Sequence, residues 1–310
     1  NLQRTPYWSD YQTNEQYFGL LAFDPGEEES VCYVDGDASE WSDDDVVQQT
    51  EDGTLSMKYD EKFLYFYIRK KGFDFENDTL YVPIDLTPKS GSTYCQQEDV
   101  SFERACDFLM VIRGREESRV LVQERYEVLR AIYGQEYYAA NPYYKANRPQ
   151  KDSPTFHPIY LALTVSDILP PIEADQAMGE KYETGKLRYG NANPQDDDFD
   201  SLADFMFTKD GVEIRLPWQL LNFHNPSEMK IHDDYYECYG IEEISVDEMY
   251  VGLGSEKDSA RRIRMESFAL EGWGKEVTYH ERLKESYYVL KDYWASLDRQ
   301  AAAAGSAGRG

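Results

Sequence analysis

Long apolar runs are missing from this sequence. None approaches the roughly 18 residues that a membrane-spanning helix needs, so direct insertion by a helix is not expected. Cysteine is scarce: Cys32, Cys95, Cys106 and Cys238 are too few for a disulfide scaffold, and no Cys-x-x-Cys pair marks a structural zinc site. Spacing leaves open whether Cys95 and Cys106 bridge across a loop. No Gly-x-Ser-x-Gly elbow occurs. His157, His224, His232 and His280 lie on unrelated segments with no evident Ser or Cys partner, so nucleophilic catalysis has little support. A glycine-rich strand-to-helix loop is also absent, which argues against nucleotide binding. Basic residues are outnumbered, 32 against 59 acidic ones, for a net charge of −27. A field of that sign repels nucleic acid and anionic lipid. If a polymer binds by overall charge, a cationic one is expected, such as a partly deacetylated amino-sugar polysaccharide.

What is present is aromatic and β-forming. The chain has 310 residues, 26 of them tyrosine, ample for one large core with appendages. Its strongest strand is Phe63-Leu64-Tyr65-Phe66-Tyr67-Ile68, apolar on both faces, which places it inside a sheet covered on both sides. Ahead of it, Asp35-Gly36-Asp37 is turn chemistry. Thr54–Tyr59 alternates and joins the core strand as a hairpin through Asp60-Glu61. Thr79–Leu86 is a strand whose Pro83 cannot donate a ladder bond, which predicts an edge position or irregular pairing. Asp107–Arg113 and Ser118–Gln123 form a further hairpin. Ala203–Thr208 and Val212–Leu216 pair around Lys209-Asp210-Gly211, and Val246–Leu253 and Ile263–Leu270 add two strands. Ser30–Val34 reads as a short strand. Pro217 starts a helical turn. Trp41 and Trp218 read as structural plugs at sheet edges.

The organisation predicted is a linker or strap over 1–29, a sandwich over 30–277, a helix over 278–300 and a flexible tail over 301–310. The helix begins at the capping box Thr278-Tyr279-His280-Glu281, and Leu283, Tyr287, Leu290, Trp294 and Leu297 form its apolar stripe. Residues 125–200, rich in Tyr and Pro, interrupt the strands as a long loop insert, a usual place for function. The expected fold is therefore mainly β: an antiparallel, jelly-roll-like β-sandwich with a long loop insert and a C-terminal helix.

Sugar binding calls for aromatic faces and planar polar groups. The loop candidates are Tyr137, Tyr138, Tyr143, Tyr144 and Trp273, with Arg148, Asn191 and Asn193 as polar partners. Asp35, Asp37, Asp196 and Asp198 offer oxygen ligands for a structural Ca²⁺, although no regular calcium-loop pattern closes around them. Each of these residues has an ordinary alternative as packing, turn or solvated surface.

Four motifs in order, Asp35-Gly36-Asp37 with Glu40-Trp41, Tyr59-Asp60 with Leu64-Tyr65, Pro83-Ile84-Asp85, and Ile214-Arg215-Leu216-Pro217-Trp218, resemble the family 9 carbohydrate-binding modules and DOMON-like β-sandwiches. The Arg4–Phe23 segment looks like the exit from a glycosidase-like barrel in bacterial surface proteins. The resemblance implies a non-catalytic, extracellular or cell-surface polysaccharide-binding module, part of a longer polypeptide with an upstream glycosidase-like domain. Two alternatives stand beside it: a purely structural domain bracing that barrel, and a glycoside hydrolase in its own right.

Overall fold

The structure is a computed structural model. It describes residues 31–128, 131, 148–163, 179–238, 242–258 and 262–274, with 21–23, 279–281, 289–291, 293–297 and 299. The chain divides into two compact units, Asn1–Tyr7 with Glu29–Lys275, and Trp8–Glu28 with Glu276–Gly310.

The first unit is an antiparallel β-sandwich with an added third layer. One sheet runs in the order Phe205–Phe207, Gly211–Pro217, Phe63–Lys70, Gly53–Tyr59, Val46–Gln49. The facing sheet runs Phe156–Pro158, Arg119–Gln123, Phe108–Arg113, Thr79–Asp85, Glu248–Gly252, Met265–Ala269. Leu64, Phe66 and Ile68 from the first sheet and Val82, Ile84 and Met110 from the second share one core, each 0% exposed. Their alternate neighbours Tyr81, Leu109 and Val111 point the other way. They join Phe102, Cys106 and Phe156 in a second core beneath the small sheet Ser92–Cys95, Val100–Cys106, Arg262–Ile263. That is why Thr79–Asp85 is buried at every position: period-2 alternation exposes both faces of a strand, and here both are covered.

The two-faced reading of Phe63–Ile68 holds, within a strand that runs to Lys70. The strand is central, paired on one side with Gly53–Tyr59 and on the other with Gly211–Pro217. The three hairpins expected at Asp60-Glu61, Gly114–Glu117 and Lys209-Asp210 are present. Pro83 is the instructive case. Its strand is not at an edge but central, between Phe108–Arg113 and Glu248–Gly252. On the second side the ladder breaks: Val251 pairs Ile84, and pairing resumes only at Gly254 opposite Tyr81. The missing N–H is accommodated by an interrupted partner rather than by an edge.

Several expectations are corrected. No strand forms at 31–34, whose backbone instead meets the loop around Ala192. The Ser92–Cys106 hairpin, which the polar alternation of Glu98, Asp99 and Glu103 disguises, supplies the third layer. Residues 125–200 are not simply a loop: Phe156–Pro158 extends the second sheet, and Tyr160–Ala162 pairs with Lys181–Glu183. Cys95 and Cys106 are free and buried, because the register sets Ser92 opposite Cys106 and Val100 opposite Cys95.

In the second unit Leu21–Phe23 pairs antiparallel with Tyr279–Glu281. The capping-box reading is thereby overturned, since a partner strand satisfies the backbone groups that the cap would have served. Residues 289–291, 293–297 and 299 are helical. Leu290, Trp294 and Leu297 of the predicted stripe are exposed, at 51%, 64% and 42%. Leu283 and Tyr287 lie outside the described residues. Among the described residues no helix is long and apolar enough to cross a membrane.

The Pro-Trp corner ties the first sheet together. Trp218 is 0% exposed, and its indole N–H donates to the Asp60 carbonyl at 2.9 Å. Trp218→Ala leaves a large void and strands that carbonyl. The expected loss is about 3–5 kcal/mol, read from the midpoint of chemical denaturation at an unchanged slope. Cys32, Cys95 and Cys106 should react with a thiol reagent only after unfolding.

Candidate functional site

Three strand ends of the first sheet open at one end of the sandwich. Thr54 lies opposite Arg69, and Gly211 opposite the same arginine on the other side. The turns that follow, 50–53, 71–75 and 208–210, surround a groove of about 530 Å³. Its lining includes Gln49, Arg69, Lys71, Phe73, Phe75 and Lys209. Glycine shapes it: a Cβ on Gly211 would sit 2.4 Å from the Ile68 carbonyl oxygen and 2.8 Å from the Tyr67 ring. Gly53 is held as closely against the Arg69 carbonyl, at 2.6 Å.

The groove's side chains are anchored from below. Arg69 Nε donates to Thr54 Oγ1 at 3.2 Å. Lys70 is buried and lies between Asp52 and Asp258, at 2.8 and 2.9 Å. That lysine holds the Asp52 carboxyl below its usual range. The Tyr67 hydroxyl donates to Asp210 at 3.1 Å. Phe73 and Phe75 meet edge to face at 4.9 Å, and Phe75 packs on Phe207.

A second feature lies over the outer face of the same sheet. Segment 31–45 straps across it, and Trp41 lies against Tyr67, ring centres 5.7 Å apart. The strap is held by Glu213, which is 0% exposed. Its carboxyl accepts the Gly36 amide at 2.9 Å and the Trp41 indole N–H at 3.0 Å. Gly36 takes a left-handed conformation, φ +89°, which delivers that amide. Burial pushes the Glu213 carboxyl up to about 8, with the Asp35 and Glu40 charges adding to it and the two N–H donors opposing it.

The residues singled out from sequence fall as follows. Asn191 is buried, and its amide donates to Asp196 and Asp198, both at 2.8 Å. Asn193 donates to Asp35 at 2.8 Å. Asp37 caps the turn by accepting from the Ser39 amide. The two asparagines and four aspartates are therefore engaged with one another and with backbone. Among the described residues no group of three or more His, Cys, Asp and Glu is placed to hold a metal ion. Trp273 is half-buried against Trp218, 6.1 Å between centres, and packs on the main core. Arg148 is half-buried, with Nε lacking a hydrogen-bond partner. Tyr137, Tyr138, Tyr143 and Tyr144 lie outside the described residues.

The groove itself was missed in the sequence. A signal was there: Arg69-Lys70-Lys71 is the longest basic run of a strongly acidic chain, followed at once by Gly72-Phe73-Asp74-Phe75. No family model, curated protein or solved structure matches the chain.

The raised Glu213 makes a pH prediction. Its folded-state value, about 8, exceeds the roughly 4.3 of a free glutamate. The stabilisation is thus fully present below the unfolded value and lost as pH rises through the folded one. Denaturation midpoints followed from about pH 5 to pH 9 should fall in the wild type more than in Glu213→Gln, which cannot ionise. Glu213→Ala removes the acceptor of two half-buried donors and should cost about 0.5–1.5 kcal/mol for each at neutral pH.

Proposed function

We propose that this chain is a non-catalytic polysaccharide-binding domain, and that the groove at 50–75 and 209–210 is where the sugar lies. One observation carries the reading. An open cleft of about 530 Å³ joins two aromatic rings to the amide of Gln49 and the guanidinium of Arg69. Its size is that of a small-ligand site. Rings supply the apolar surface on which a pyranose packs, and planar polar groups bond paired hydroxyls. Binding is favoured over hydrolysis because two of the groove's three acids are already engaged: Asp52 is held below its usual range by Lys70, and Asp210 accepts from Tyr67. An acid held ionised cannot serve as the general acid that glycoside cleavage needs.

The order of the turn, hairpin and Pro-Trp motifs supports kinship with the family 9-like and DOMON-like sandwiches. On that reading the domain sits at a bacterial cell surface or outside the cell, next to a glycosidase-like domain of the same polypeptide. The exposed apolar residues of 289–297 favour a second reading, an architectural domain without a ligand.

Affinity-gel electrophoresis and a glycan array of the whole chain separate the two. Binding to at least one polysaccharide is expected, weakened about 2- to 10-fold by Phe75→Leu, which keeps apolar bulk but removes the ring face. No retention on any plant, bacterial or exopolysaccharide ligand would leave only the architectural reading.

A further inference from the structure

We propose that the groove takes an acidic sugar, a uronic acid unit whose carboxylate is held by Arg69, Lys71 and Lys209; this rests on the carbohydrate-binding reading. The argument begins from pairing. In a chain of net charge −27, a surface cation finds an acid easily. Lys58, Lys89, Lys151, Lys230 and Lys257 each lie in an ion pair, as does Lys70 beside the groove. Arg69, Lys71 and Lys209 do not: among the described residues no carboxylate lies within ion-pair distance of any of them, nor of Lys181, Lys186, Arg262 and Arg264, which do not line the cleft. All three line the same cleft.

The charge count of the lining points the same way. Its cations are Arg69, Lys70, Lys71 and Lys209, and its acids are Glu51, Asp52 and Asp210. Lys70 and Asp52 cancel one another at 2.8 Å. Three cations then face two acids, and Asp210 is partly satisfied by the Tyr67 hydroxyl. The surplus is a single positive charge, which one carboxylate per binding unit neutralises. Arg69 is suited to receive it. Among the described residues its one hydrogen bond uses Nε, and the guanidinium lies 5.8 Å from the centre of the Tyr67 ring. The two terminal nitrogens form the fork that matches a carboxylate. Lys71 and Lys209, both exposed, add point charges from the flanking turns.

The overall acidity does not forbid this. Charges more than about 8 Å apart are largely screened at physiological ionic strength, so the groove's own side chains decide what docks. The distant acidic field lowers the encounter rate rather than the strength of the contact.

Titration calorimetry of the whole chain tests the inference with three probes: an oligouronate, a neutral glucan of equal length, and inorganic phosphate as competitor. Preferential binding of the oligouronate is expected. The double variant Lys71→Gln/Lys209→Gln should weaken it about tenfold or more, and Arg69→Lys, which keeps the charge but removes the fork, should also weaken it. Thermal melts would verify that these surface variants remain folded. Oligouronate binding unchanged in the double variant would overturn the proposal, as would equal displacement by phosphate, which marks a simple anion site. A neutral glucan bound as tightly, weakened by Phe75→Leu but indifferent to the lysines, would overturn the acidic specificity and leave the carbohydrate reading standing. Failure of every glycan to bind would sink both.

Discussion

A strand with no polar face has to be covered twice, and the Phe63–Lys70 strand imposes that requirement on the rest of the sandwich. Leu64, Phe66 and Ile68 meet the facing sheet in the main core. Tyr65 and Tyr67, on the other face, are only 2% and 5% exposed. Tyr67 is covered by Trp41 of the 31–45 strap, which is held by a carboxyl from the neighbouring strand. Glu213 is a costly choice of anchor, since a buried carboxyl must be hydrogen-bonded or neutral. The arrangement serves both conditions: two N–H donors meet its two oxygens, and burial keeps its proton bound near neutrality. An apolar residue in its place would leave the Gly36 amide and the Trp41 indole without acceptors. The polar anchor therefore specifies where the strap lies, beyond any contribution it makes to stability.

The same strand, followed to its end, explains the groove. Apolar alternation stops at Ile68, and Arg69-Lys70-Lys71 comes next. Lys70 occupies an inward position and must be paired to be buried, which Asp52 and Asp258 accomplish. Arg69, on the opposite side of the pleat, shares the outer face with Tyr67. Gly53 and Gly211 let neighbouring groups approach closely: a Cβ there would meet the Arg69 carbonyl in the first case and the Ile68 carbonyl and Tyr67 ring in the second. A rigid sheet thus presents a charged, unpaired group from its central strand, flanked by turns that can vary without disturbing the core.

How much of this was legible in the sequence follows from the range of each signal. Hairpins are local, so Asp60-Glu61 and Lys209-Asp210-Gly211 disclosed their turns and even their partners. Periodicity disclosed that Phe63–Ile68 was central. It did not disclose the third layer, because Ser92–Cys106 carries Glu98, Asp99 and Glu103 and looks too polar to cover anything. The Pro83 rule left an edge position or irregular pairing open, and the structure has the second, a gap in the neighbouring strand that no single segment shows. Tyr279–Glu281 lost its predicted helix to a partner more than 250 residues away in the chain. The asparagines and aspartates proposed for ligands were correctly grouped with turns and loops, yet their amides and carboxylates bond each other.

The groove stayed hidden for a related reason. Site prediction from composition favours what is abundant, here tyrosine and acid, whereas a binding site is marked by what is left unmatched. In an acidic chain an unpaired acid is unremarked, because there are too few cations to pair with all of them. An unpaired cation is the informative residue, and three gathered in one cleft are more so. Net charge describes how the whole molecule is approached through solvent; the pairing state of a few side chains describes what can stay once it arrives. On the proposed reading, the −27 chain sets how often an anion arrives and the groove sets which one stays. An anion without a sugar's ring and hydroxyls would gain from the cations alone, while a ligand that also fills the space between Phe75 and Gln49 would gain from every wall of the cleft.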